Sequence, residues 1–102
     1  VMISGEYLKK PRGESDNVPK LFETVKSEII NENWDGALQS TEAAETAYKK
    51  VRKRIQFSVE RDEANRIEDN LARIKGYATA KDKPGALAEL AEASNLWEEL
   101  GK

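Results

Sequence analysis

Three groups of side chains in this chain carry enough charge or ring surface to do chemistry. The densest acidic group is Glu60, Asp62 and Glu63. Paired carboxylates drive hydrolysis by general acid–base exchange when they face each other across a pocket. Here they are nearly consecutive, at the start of a helix, with Arg61 among them. Acidic residues in a first turn are favoured by the helix dipole, which accounts for them without a site. The spacing also lacks the alternating ligands and the glycine of a calcium loop.

The most lopsided local charge is the run Lys49, Lys50, Arg52, Lys53 and Arg54, a candidate interaction surface. Such a run could meet an anionic lipid surface or a nucleic acid. It falls in the last turns of a helix whose inward positions are Tyr48, Val51 and Ile55. Its cations therefore complement the dipole from the solvated face. The whole chain decides against nucleic acid, because 17 Lys and Arg are offset by 19 Asp and Glu, a formal net charge of −2. A broad phosphate-binding surface needs a clear basic excess. Weak contact of the run with anionic lipid stays open.

Trp34, Tyr48 and Trp97 form the third group and could line a ligand groove. At stripe positions of helices they are read as core volume that alanine leaves unfilled. The absences are more decisive. Without cysteine there is no disulfide, thiol nucleophile or thiolate metal site. Without histidine, the commonest transition-metal ligand and the side chain best matched to proton transfer near neutral pH are both missing. A carboxylate-bridged di-metal bundle needs Glu-x-x-His pairs projecting inward. The six glycines are scattered, so no phosphate-cradling loop forms. No Ser or Lys spacing marks an activated nucleophile. These residues predict no enzyme, no cofactor and no metal.

The elements that position these groups are helices. The chain is one domain's length at 102 residues. Residues 1–15 read as a flexible linker or stalk, with Pro11 and Gly13 as breakers, mixed charge and no periodicity. The start at Val1 suggests removal of something upstream. Residues 16–102 read as a single helical domain. Its first helix opens at Asp16 or Asn17 with Pro19 in the first turn, and presents Val18, Phe22, Val25 and Ile29, widened by Leu21 and Ile30. The second opens at Asn33 and runs through Trp34, Ala37, Leu38, Ala44, Tyr48, Val51 and Ile55. The stripe then loses phase and resumes at Ala64, Ile67, Leu71, Ile74 and Ala78, with Ser58 as a cap candidate. A long kinked helix through residues 56–65 is the competing reading. The last helix opens at Asp82, presents Leu87, Leu90, Ala91, Ser94, Trp97 and Leu100, and stops at Gly101. No segment shows strand alternation, and none approaches the roughly 20 apolar residues of a membrane span.

A shift of 49 residues superposes the halves: Val18 on Ile67, Phe22 on Leu71, Val25 on Ile74, Asn33 on Asp82, Ala44 on Ala93 and Tyr48 on Trp97. Gly36-Ala37-Leu38 falls on Gly85-Ala86-Leu87. The predicted fold is all-α: about four helices in two antiparallel hairpins, as a four-helix bundle or a tetratricopeptide-like pair. The segment Glu32 to Leu38 resembles a tetratricopeptide turn, but the period is longer than that family's. Duplication and shared hairpin chemistry both explain the likeness.

An ordered set of motifs carries a further resemblance: Asn33-Trp34-Asp35-x-Ala37, Tyr48-Lys49-Lys50, Ile67-Glu68-x-x-Leu71-Ala72-Arg73-Ile74-Lys75-x-Tyr77, Lys81-Asp82-Lys83 and Ala86-Leu87-Ala88-Glu89-Leu90. Over about residues 18–100 the chain resembles a bacterial family known only as a domain of unknown function. Tyr48 stands where tryptophan is expected. The resemblance implies a short protein with an N-terminal membrane anchor and a helical domain outside the cytoplasm, residues 1–15 being the stalk. It carries over no catalytic or binding residue. Function is therefore expected to be that of a non-catalytic interaction or structural module, binding another protein or itself. The alternative is a small-ligand or cation sensor using the bundle interior.

Overall fold

Asn17 caps the first described helix. Its side chain accepts a hydrogen bond from the Lys20 amide at 3.3 Å, capping a helix that Pro19 enters without losing a needed donor. The computed structural model describes residues 17–55 and 61–100. Within them run α1 (Val18–Ile30), α2 (Trp34–Ile55), α3 (Arg61–Thr79) and α4 (Lys83–Glu99), with no strand among the described residues. The expected stalk, the alternative cap Asp16, the Ser58 cap and the stop at Gly101 lie outside the described residues.

α1 packs on α2, α2 on α3, α3 on α4, and α4 back on α1. That ring is a four-helix bundle and decides between the two architectures expected. α2 and α3 run antiparallel, because Glu45 pairs with Lys75 while Arg52 pairs with Glu68. The segment 56–60, on which the choice between a turn and a kinked continuous helix falls, lies outside the described residues.

The core follows the stripes of α1 and α3 closely: Val18, Phe22, Val25 and Ile29 from one, Ile67, Leu71, Ile74 and Ala78 from the other. Two expectations need correction. Ile30 does not widen the buried stripe of α1, since 45% of it is exposed. In α4 the buried face is Ala86, Leu90, Ala93, Trp97 and Leu100, while Ala91 is exposed and Ser94 and Leu87 are half-buried. Alanine is spread around this helix, so apolarity gives little contrast between its faces.

The two turns at one end of the bundle repeat each other bond for bond. In the first, the Glu32 amide donates to the Ile29 carbonyl at 3.0 Å and the Asn33 amide to Glu28 at 2.8 Å. In the second, Lys81 donates to Ala78 at 3.1 Å and Asp82 to Tyr77 at 2.8 Å. This is the Schellman closure of a helix C-terminus, and it requires a left-handed residue. Glu32 and Lys81 fill that position, each at φ 58°. The next residue then caps the following helix: Asn33 Oδ1 accepts from the Gly36 amide at 3.2 Å, and Asp82 Oδ1 from Gly85 at 3.0 Å. The shift of 49 residues is thus a three-dimensional pseudo-repeat. Beyond the superpositions seen in sequence, it maps Thr41 onto Leu90 and Val51 onto Leu100, all four buried.

Candidate functional site

Within the basic run Lys49, Lys50 and Lys53 are exposed, while Arg52 and Arg54 are half-buried. Arg52 turns away from its neighbours onto α3, where its guanidinium meets Glu68 at 2.7 Å and Asn65 Oδ1 at 2.8 Å. Lys50 and Arg54 have interaction partners as well. Lys49 and Lys53, one turn apart, remain exposed. Of the acidic group, Asp62 is exposed in the first turn of α3, as the dipole favours. Glu60 and the side chain of Glu63 lie outside the described residues. Among the described residues no group of three or more acidic side chains could hold a metal ion.

The aromatics belong to the core. Tyr48 and Trp97, pseudo-equivalent across the repeat, meet edge to face with centroids 6.3 Å apart. The Tyr48 hydroxyl donates to the Ala64 carbonyl at 2.8 Å. Burial pushes the Tyr48 phenol well above the usual tyrosine range, with nearby Arg52 opposing and Glu68 adding to the shift. Trp34 is half-buried and packs on the core rim.

The place in the fold that could receive a partner is one the sequence analysis did not single out. Pseudo-symmetry makes the α2–α3 seam and the α4–α1 seam counterparts, yet they are closed differently. At the α2–α3 seam Lys75 Nζ meets Glu45 Oε1 at 2.8 Å, and that hydrogen bond, with Glu42 adding to the field, raises the lysine pKa. The equivalent of Lys75 is Lys26, and the equivalents of Glu42 and Glu45 are Ala91 and Ser94. Among the described residues no carboxylate stands within ion-pair distance of Lys26.

A groove of about 410 Å³ opens there, along the least packed of the four seams. Phe22, Leu87 and Leu90 line it, Ile30 and Ala91 present exposed apolar surface, and Glu23 and Lys26, one helical turn apart, both border it. The clue was present in the sequence: sliding the repeat across charged positions, and not only apolar ones, exposes the loss of both glutamates.

The other interhelix seam that carries charge, α3–α4, is closed. Glu89 accepts from Arg73 Nε at 3.0 Å and from Asn70 Nδ2 at 2.6 Å, while Arg66 lies 3.7 Å from Glu92. Asn70 is fully buried with its Oδ1 unpartnered, and like buried Thr41 it was not part of the expected stripes. Thr41 satisfies itself by donating to the Ala37 carbonyl at 2.7 Å.

Comparison with known proteins places the chain. The family described as a domain of unknown function (DUF4363) matches residues 4–102. The chain belongs to that family. The match is longer than the resemblance read from the motifs and begins inside the stretch read as a stalk. No curated protein and no solved structure matches this DUF4363 chain. No described helix is long and apolar enough to cross a membrane.

Proposed function

We infer that this DUF4363 protein is a non-catalytic interaction module, held on a membrane tether outside the bacterial cytoplasm. The observation that carries the reading is the inequality of two pseudo-equivalent seams, one closed by Glu45–Lys75 and the other left as an apolar groove. Exposed apolar surface rimmed by polar side chains marks interaction sites on soluble domains. The bundle interior is filled by Tyr48, Trp97 and the aliphatic stripes, which supports binding at the surface rather than inside.

The tether rests on the family resemblance and is consistent with the bundle's polarity. α1 and α2 are antiparallel, so Asn17 and the C-terminal turns of α2 share one end. The exposed cations Lys49 and Lys53 therefore lie at the end where the N-terminal segment joins, in a position to face anionic headgroups.

Immobilised protein challenged with cell-envelope extract at low and moderate salt tests the reading, with quantitative mass spectrometry as the readout. One partner retained at moderate salt is the expected result. Retention lost with salt would reduce the role to charge contact through Lys49 and Lys53. If nothing is retained, the reading fails and the small-ligand sensor stands in its place, to be pursued by thermal-shift screening against envelope metabolites.

A further inference from the structure

We propose that the α4–α1 groove is where two copies of this chain meet, across a two-fold axis that sets their α1 helices antiparallel. Glu23 of each copy faces Lys26 of the other, and each Ile30 enters the other copy's groove beside Phe22. The proposal rests on the interaction-module reading and names the partner as a second copy.

A two-fold interface uses one patch twice, so the patch must be complementary to itself. This one is so in charge. Glu23 and Lys26, both exposed and one turn apart on α1, border the groove with opposite signs. An axis passing between them pairs each with its opposite in the second copy. A parallel arrangement, or a slip of one turn, sets like charges together instead.

The patch is self-complementary in shape as well. Ile30, 45% exposed and the one exposed large apolar side chain among the described residues, stands at the end of the groove that Leu87 shares. Phe22, Ser94 and Asn95 line the opposite end, roughly 12 Å away at the helical rise. Side chains lean toward the N-terminus of their helix, so in the antiparallel pair Ile30 of one copy lies over the Phe22 ring of the other. Ala91, exposed between the two ends, is small enough for the second α1 to approach closely. Knob and hole thus sit on one molecule, at the separation that the Glu23–Lys26 pairing requires.

The size of the face sets the strength. α1 is about 20 Å long, and two helices side by side are about 20 Å wide, so each copy covers roughly 400 Å² in plan. That is about half of a standard interface, which gives a weak dimer with Kd roughly between 10 µM and 1 mM.

Sedimentation equilibrium of the full chain from about 10 µM to about 1 mM is the test. Wild type should dimerise, and Ile30→Asp should abolish the dimer. Lys26→Glu leaves two acids on this face of α1 and Glu23→Lys two bases, so each variant alone should associate about tenfold more weakly. Mixed in equal amounts, the two variants should regain wild-type affinity as a heterodimer. The double variant, Glu23→Lys with Lys26→Glu, should regain it alone. Lys49→Glu, which does not line the groove, should change nothing.

All these side chains are exposed, so circular dichroism should show an intact fold in each variant. Rescue by mixing is the deciding readout, because it requires the two-fold pairing and non-specific association does not produce it. A wild type that stays monomeric at about 1 mM overturns the proposal. So does a dimer indifferent to Ile30→Asp, or a pair of charge variants that mixing does not rescue. If the monomer still retains an envelope protein, the interaction module stands and the second copy alone is struck; if it retains nothing, both readings fall.

Discussion

Replacing Glu32 or Lys81 by glycine should make this protein more stable, although each change removes a side chain and introduces the most flexible residue. Both positions sit at φ 58°. For a residue with a Cβ that conformation costs about 1–2 kcal/mol, and glycine is free of it. Glycine's larger unfolded-state entropy takes back about 0.5–1 kcal/mol. Each substitution should therefore gain about 0.5–1 kcal/mol, equivalent to about 2–8 °C in Tm for a domain of this size. Glu32→Gly also loses the contact with Lys83, but at 4.0 Å between largely exposed side chains that pair contributes little. The double variant should approach the sum of the two. Thermal and urea melts provide the assay, with an unchanged m value showing that stability changed without a change in the surface exposed on unfolding. Glu32→Ala is the control, since it keeps a Cβ at the same φ and should change stability by less than about 0.5 kcal/mol. If alanine stabilises as much as glycine, or if either glycine variant unfolds earlier, backbone relief at the Schellman position is not the operating cause.

Other perturbations read different parts of the bundle. Gly76→Ala should stabilise by about 0.5–1 kcal/mol, because its Cβ meets nothing within 4 Å and the helix backbone loses entropy only when unfolded. Gly85→Ala should destabilise by about 1–3 kcal/mol in the same urea titration, because its Cβ would stand 2.6 Å from the Tyr77 ring. Tyr48→Phe should cost about 1 kcal/mol by removing the bond to the Ala64 carbonyl. Burial keeps this phenol protonated in the folded state above the pH where an exposed tyrosine ionises, so stability is fully present below about pH 10 and falls as pH rises beyond it. Alkaline unfolding followed by tyrosinate absorbance should show that slope diminished in Tyr48→Phe. Asn70→Leu should raise the melting temperature, because it removes a buried oxygen with no partner while Glu89 keeps Arg73; a fall would show that the Asn70–Glu89 bond outweighs the orphaned oxygen.

The chain by itself determined what is decided within a few residues of contour. Asn17, Asn33 and Asp82 cap helices because a short polar side chain reaches the amide three residues on, a relation visible in sequence. The stripes of α1 and α3 were legible because β-branched and large apolar residues recur at helical spacing there. The face of α4 was not, because its alanines surround the helix. Tertiary structure decided what depends on residues far apart in the chain. Closure of the ring by α4 on α1, the turning of Arg52 onto Glu68, and the burial of Asn70 all involve partners on another helix. The candidate site is of the same kind. Ala91 and Ser94 were read in sequence as part of the last helix's apolar stripe, and only the packing of α4 on α1 places them with Lys26 along an open groove.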